Sequence, residues 1–230
     1  MTAGAIAVIP ARGGSKRIPR KNVRPFAGRP MIGWAIGAAL GSGLFDRVVV
    51  STDDTEIIEV ARAHGADVPF VRPAELADDH TPTVPVIRHA IEALGVDGGT
   101  AVCCIYACVP FLAAQDLADG LALLAEGPAA YAFPVTPFPS PIQRALRRDA
   151  DGRVRPFFPE NVNVRTQDLE PAYHDAGQFY WGRAEAWTAG LSIHGHGAGL
   201  VIPAWRVVDI DTPEDWERAE AMAGALLPSA

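Results

Sequence analysis

The chain has 230 residues, is 49% apolar and 20% charged, and carries a formal net charge of −7. That length suits one large α/β domain, or one domain with a small appendage, and is enough to bury a sizeable core. The acidic balance disfavours nucleic acid as the main partner, because a phosphate backbone needs an extended basic face, and no apolar run is long enough to suggest a membrane span. The opening MTAGAIAVIPARGG lacks a basic region before its short apolar run, so no signal peptide is expected. Three cysteines, two of them adjacent, make a poor disulfide framework and point to a reducing, cytoplasmic setting.

In chain order, AIAVI (Ala5–Ile9) reads as a strand buried on both faces. PMIGWAIGAALGSG opens on Pro30 and closes on Gly41 and Gly43, the asymmetry of a helix start and stop. RVVVST (Arg47–Thr52) is a second strand, and DDTEIIEVARAHG a helix with acids in its first turn. DVPFVRP reads as extended, and TPTVPVIRHAIEALG as helical from Val84 or Pro85. TAVCCIYA is a buried strand, AAQDLADGLALLAEG a helix and AAYAFPV a strand. This alternation implies βαβ units and a mostly parallel, doubly wound Rossmann-like α/β sheet, whose ligands bind at the carboxyl ends of the strands.

The pattern breaks at about residues 137–174, which are rich in Pro, Arg and Asn and too long for a plain loop. They read as an insertion within a single domain spanning 1–230, a small subdomain or a dimerisation arm. The core resumes at AGQFYWG and ends in a strand running through VVDID and a terminal helix. Thr212, Pro213 and Asp215 suit an N-cap, a first-turn proline and a capping-box acid.

Three stretches carry chemistry. The first is IPARGGSKRIPRKN (Ile9–Asn22): between Arg12 and Arg24 lie six basic residues and no acidic one. Gly13 and Gly14 let backbone N–H groups approach a ligand, Arg12 offers a planar fork for phosphate and Lys21 a point charge. Neither the Walker A nor the G-x-G-x-x-G spacing is present, so a P-loop ATPase and a dinucleotide enzyme lose support. The competing reading is a solvated basic loop, with Lys16, Arg17 and Arg24 the more solvated members. The second is VVDIDTPED. On a strand Asp209 and Asp211 project to one face, as Mg²⁺ shared with phosphates requires; alternatively Asp211 only starts the last helix. The third is STDD (Ser51–Asp54), either a ligand contact or an N-cap with first-turn acids. Cys103 and Cys104 read as core, His194–Gly197 as a flexible loop, and four tryptophans (Trp181, Trp187, Trp205, Trp216) as packing residues. No zinc spacing is present.

Taken together, AVIPARGGSKRIPRKN, GRPMIGWAI, VVVSTDD, VRPAELADD and VDIDTPED resemble the cytidylyltransferases that activate nonulosonic acids, the CMP-sugar synthetases of sialic-acid-like sugars. YHDAGQFYWG and CCIYACVPFL look most like the pseudaminic acid branch. IYACVPF stands where the sialic acid branch has a Gln-Pro-Thr-Ser-Pro-like stretch. The resemblance implies a nucleotidyltransferase fold, a homodimer built through the insertion, and Mg²⁺-dependent use of CTP on a nonulosonic acid. By position it implies that Arg12, Ser15 and Lys21 hold the triphosphate, Asn22 the nucleoside and Arg72 the cytosine. Asp209 and Asp211 would bind the metal, and Gln178 would face the sugar. The insertion would offer a basic residue to the neighbouring subunit's sugar site. Gln143 stands where a lysine is expected, with Arg144 beside it, and Arg165 is the better candidate. The other readings are the same chemistry on legionaminic acid, N-acetylneuraminate or 3-deoxy-octulosonate, a glycosyltransferase on the same fold, and a non-catalytic binding protein.

Overall fold

The computed structural model describes residues 4–227. Its elements are β1 (Ala5–Pro10), β2 (Pro25–Phe26), β3 (Arg29–Pro30), α1 (Met31–Ser42), β4 (Phe45–Ser51), α2 (Thr55–Ala63), α3 (Thr83–Leu94), β5 (Ala101–Ile105), α4 (Ala114–Glu126), β6 (Tyr131–Pro137), β7 (Leu146–Arg148), β8 (Val154–Pro156), β9 (Tyr173–Asp175), β10 (Phe179–Arg183), α5 (Ala184–Thr188), β11 (Gly197–Val201) and α6 (Pro213–Leu226). The main sheet runs β4-β1-β5-β10-β6-β11, with β9 paired to β6.

β4, β1 and β5 are mutually parallel, and β11 is parallel to β6. β10 is antiparallel to both its neighbours. The chain leaves β6, returns antiparallel along it as β9, and passes straight into β10. No crossover helix intervenes, and a parallel connection needs one. The sheet is therefore mostly parallel, as expected, with β9 and β10 running against the other strands.

Side-chain alternation divides the core into two layers. Cys103 and Ile105 of β5 join Ile32, Ile36, Ile57 and Leu117 from α1, α2 and α4. Val102 and Cys104 join Ile87, Ile91 and Trp187 from α3 and α5. The adjacent cysteines thus serve opposite faces of one strand, both fully buried. Gly182 of β10 marks a close approach, since a Cβ there would lie 2.6 Å from Tyr131 Cδ1 and 2.7 Å from Trp187 Nε1.

Two local expectations change. α3 begins at Thr83 instead of Val84 or Pro85. Pro85 is accommodated in its first turn, where no N–H is needed. More important, Val207–Asp211 is not a strand. Ile202 N still donates to Val135 O at 2.8 Å. Pro203 then lacks an N–H to continue the ladder, and a 3₁₀ turn at Ala204–Arg206 carries the chain off the sheet. The alternation survives without the sheet. Ile210 is buried beside Ile18, Phe26, Met31, Phe111 and Trp216, with Val208 packed on that cluster, while both aspartates line the cleft described next. The capping box follows as expected: the Thr212 side chain accepts from Asp215 N, and the Asp215 side chain accepts from Thr212 N.

Candidate active site

The β1–β2 loop is pinned to the end of β4. Ala11 N donates to Ser51 O at 2.9 Å, and Gly13 N to Asp53 Oδ1 at 3.1 Å. Asp54 caps α2, accepting from Glu56 N at 2.9 Å and Ile57 N at 3.0 Å. A Cβ on Gly13 would sit 2.4 Å from Asp54 Oδ2, so glycine is required by packing. The Gly13 N–H is consumed by Asp53, contrary to the ligand contact expected of it, whereas a Cβ on Gly14 would meet nothing within 4 Å. STDD is therefore an N-cap plus a loop anchor.

A cleft of about 660 Å³ opens at the carboxyl ends of β1 and β5. The loop contributes Arg12, Ser15, Lys16, Arg17, Lys21 and Asn22 to its lining. Residues 72–81 contribute Arg72, Asp78, Asp79 and Thr81; the end of β5 contributes Tyr106, Ala107 and Cys108; the segment before α6 contributes Val208–Asp211. Residues 190 positions apart meet here: Lys21 Nζ lies 3.3 Å from Asp211 Oδ1 and donates to Ile210 O at 2.7 Å.

Arg17 also reaches Asp211, at 2.9 Å. Arg12 Nη1 donates to Asp78 O at 2.7 Å and Asp79 Oδ1 at 2.6 Å, while Lys16 pairs with Asp79 Oδ2. Arg24 stacks over Trp216, 4.4 Å from the ring centre. Lys16, Arg17 and Arg24 are more solvent-exposed than Arg12 and Lys21, as expected, and each also has a partner. Asp79 is a cleft residue that the sequence reading passed over. Its one signal in the sequence is the DD that ends VRPAELADD.

Asn22 is buried; its Nδ2 donates to Arg12 O at 3.0 Å, and its Oδ1 accepts from Cys108 Sγ at 3.3 Å. Burial pushes the Cys108 thiol up to about 11. Arg72 is 5% exposed and has no carboxylate partner; Nη2 donates to Ser51 O, Nη1 to Leu76 O at 3.4 Å, and Nε has none among the described residues. Burial pulls its guanidinium below the ordinary value, with Asp53 opposing. Tyr106 donates to or accepts from Thr83 Oγ1 at 2.9 Å, and its ring meets Tyr180 edge-on.

Two expected residues lie outside the cleft lining. Gln178 is buried just before β10, its Nε2 donating to Arg206 O at 3.0 Å; neighbouring Gly177 reaches the cleft instead. Arg165 is on the arm, exposed and paired with Asp168 at 2.7 Å. Arg144 is committed to the arm's own fold, donating to Asn161 O at 3.2 Å, Val162 O at 2.9 Å and Val164 O. His194, expected on a flexible loop, contacts Asp175 Oδ2 at 2.7 Å, and Tyr180 OH donates to the same oxygen at 2.9 Å.

The Asp209 carboxylate has no ion-pair partner among the described residues. Desolvation by the cleft walls raises it above the ordinary carboxylate range, the Asp211 charge adds to this, and Lys21 opposes. An unpaired carboxylate kept beside another is a hard-oxygen donor set suited to a divalent cation that takes its remaining ligands from water and phosphate. No cluster of three or more His, Cys, Asp or Glu is poised around a metal among the described residues. Two carboxylates are what Mg²⁺ shared with a phosphate chain commonly uses. The residues present fit that ion.

An α/β sheet with a basic loop and paired aspartates at its carboxyl edge defines a nucleotidyltransferase-type site. The chain belongs to the cytidylyltransferase family, whose model, described as "Cytidylyltransferase", matches residues 6–183. It is 43% identical to pseudaminic acid cytidylyltransferase of Campylobacter jejuni subsp. jejuni serotype O:2, over 94% of this chain and 95% of that protein. It is 35% identical to N-acylneuraminate cytidylyltransferase B of Danio rerio, over 93% of this chain and 50% of that one. Among solved structures, CMP:2-keto-3-deoxy-manno-octonic acid synthetase complexed with CTP aligns with a TM-score of 0.72 at 18% identity, covering 98% of this chain and 100% of the other. That likeness establishes the shared fold.

Proposed function

We propose that this protein is a pseudaminic acid cytidylyltransferase, converting CTP and pseudaminic acid to the CMP-sugar and pyrophosphate. The observation that carries the chemistry is the meeting, in one cleft, of the Arg12–Lys21 loop with Asp209 and Asp211. The sugar assignment is supported by the 43% identity to a relative of that name over nearly the full length of both chains.

In this reaction the anomeric hydroxyl oxygen attacks the α-phosphorus, the bond to the bridging oxygen breaks, and pyrophosphate leaves with the electron pair. The attacking hydroxyl gives up its proton to solvent or a phosphate oxygen; no histidine among the described residues lines the cleft. Catalysis then rests on positioning and charge neutralisation. Arg72, buried with an unused Nε, supplies a fixed donor set for the cytosine edge. Asn22, oriented by Cys108, contacts the nucleoside. Arg12, Ser15 and Lys21 hold the triphosphate and neutralise the leaving pyrophosphate. Mg²⁺ held by Asp209 and Asp211 would supply Lewis-acid charge at the α-phosphate. Lys21 and Arg17 keep the Asp211 carboxylate aimed into the cleft.

The second element of the proposal is a homodimer formed through the 137–174 arm, with Arg165 reaching the neighbouring subunit's sugar. Most of the large apolar side chains left exposed belong to this arm, among them Phe138, Leu146, Val154, Phe157 and Val162. Such clustering marks an interaction surface. A cytoplasmic location fits the use of CTP as substrate. No helix among the described residues is long and apolar enough to cross a membrane.

The test is pyrophosphate release from CTP and Mg²⁺ with a panel of nonulosonic acids. Release with pseudaminic acid is expected. No release with any sugar would overturn the synthetase reading; release with N-acetylneuraminate alone would overturn only the sugar.

A further inference from the structure

The Asp79 carboxylate bonds to Arg12 and Lys16 and to nothing else among the described residues. Its loop does not need it. The turn is closed by Asp78, whose Oδ1 accepts from His80 N at 2.9 Å, Thr81 N at 2.6 Å and Thr81 Oγ1 at 2.7 Å, while Thr81 Oγ1 also lies 3.2 Å from Glu75 O. Of the two adjacent aspartates, one holds the loop and the other is aimed across the cleft. Hydrogen bonds from Lys16 and Arg12 hold the Asp79 carboxyl below its ordinary value.

The four loop cations that line the cleft fall into two clamps. Asp211 bridges Arg17 and Lys21, and Asp79 bridges Arg12 and Lys16. Only the first clamp belongs to the paired-aspartate site. The second lies across the loop from it, on the segment that also carries Arg72. A phosphate oxygen and the Asp79 carboxylate require the same N–H groups of Arg12 and the same Lys16 ammonium.

We propose that Asp79 tunes product release: its carboxylate competes with polyphosphate oxygens for Arg12 and Lys16 and so weakens the cleft's hold on a triphosphate and on pyrophosphate. This deepens the proposed function and rests on it, naming what lets pyrophosphate leave after transfer. A triphosphate offers several charges and can trade one carboxylate for two or more phosphate contacts. A monophosphate near the α-position has no chain to reach the second clamp and leaves Asp79 in place. The same competition weakens the hold on pyrophosphate after transfer and favours its release.

The test is titration calorimetry of wild-type and Asp79→Asn protein with CTP, CMP and inorganic pyrophosphate, in Mg²⁺ buffer without sugar. Loss of two partly exposed pairs is expected to tighten CTP and pyrophosphate about three- to tenfold, with CMP changed less than about twofold. Lys16→Ala is expected to weaken CTP more in the Asp79→Asn background than in wild type, because Lys16 no longer has to leave a partner. Weaker or unchanged CTP binding in Asp79→Asn, or equal tightening of CTP and CMP, would overturn the inference. Wild-type protein that binds CTP and releases pyrophosphate with sugar keeps the functional reading whatever Asp79→Asn does; wild-type protein that does neither overturns both.

Discussion

Asp209 and Asp211 are two residues apart in sequence and face the same cleft, yet their surroundings differ. Asp211 is held by Lys21 and Arg17, while Asp209 has no ionic partner. Asp209 is raised by desolvation and by its neighbour. A carboxyl raised on folding costs stability above its raised value, and the cost vanishes once pH falls below the ordinary carboxylate range. Asp209→Asn is therefore expected to raise Tm by roughly one to three degrees at pH 7, and to show no gain near pH 3. The same variant should lower kcat by roughly 10²–10³-fold. Calorimetric scans with and without Mg²⁺ check the pairing of these effects: the ion should stabilise wild type and not the variant. A variant that is both less stable and fully active would remove Asp209 from the site. This pair was legible in the sequence because period-two alternation holds for any extended segment. The sheet expected to carry it was not there, since Pro203 ends the ladder.

Among the elements, the segment before α6 is positioned by α4 as well as by its own cap. Arg206 makes a two-pronged pair with Asp116 in the first turn of α4, at 2.5 and 3.0 Å, and both side chains are largely withdrawn from solvent. Removing one partner of such a pair leaves a buried charge uncompensated. Arg206→Ala is expected to cost about 3–5 kcal/mol, read from the urea midpoint at constant slope. Arg206→Met combined with Asp116→Leu should recover most of that loss, because the apolar pair has no charge to desolvate. No such recovery would show that the pair does more than fill space with matched charge. None of this was readable in sequence: the partners lie 90 positions apart, and neither sits in a recognisable pattern. The helices themselves were readable. Pro30 and Gly43, Asp54, and the Thr212–Asp215 box stand where local backbone chemistry puts starts and stops.

For the whole molecule, an acidic chain gathers four cations of its basic loop in one cleft and leaves most of its exposed large apolar side chains on one arm. The arm's hairpin of β7 and β8 exposes Leu146 and Val154, and Phe157 stands just beyond it. A two-stranded hairpin is not independently stable in water without a covering surface. The dimer proposal accordingly predicts that Leu146→Glu with Phe157→Glu gives a monomer in sedimentation equilibrium. Turnover of that monomer should fall steeply, since Arg165 then reaches no neighbouring sugar. A monomer with wild-type turnover would remove both the shared site and the dimer from the account. The sequence by itself determined the βαβ core, most helix starts and stops, the cation-rich loop and the paired aspartates, because each is written in local periodicity, capping or composition. Only the tertiary structure decided that β10 runs antiparallel, that Gly13 serves packing instead of ligand, that Gln178 turns to Arg206 O and not into the cleft lining, and that Asp79 closes on Arg12 and Lys16. Each of these depends on which distant side chain arrives at a given place, and that is set by the packing of the whole chain.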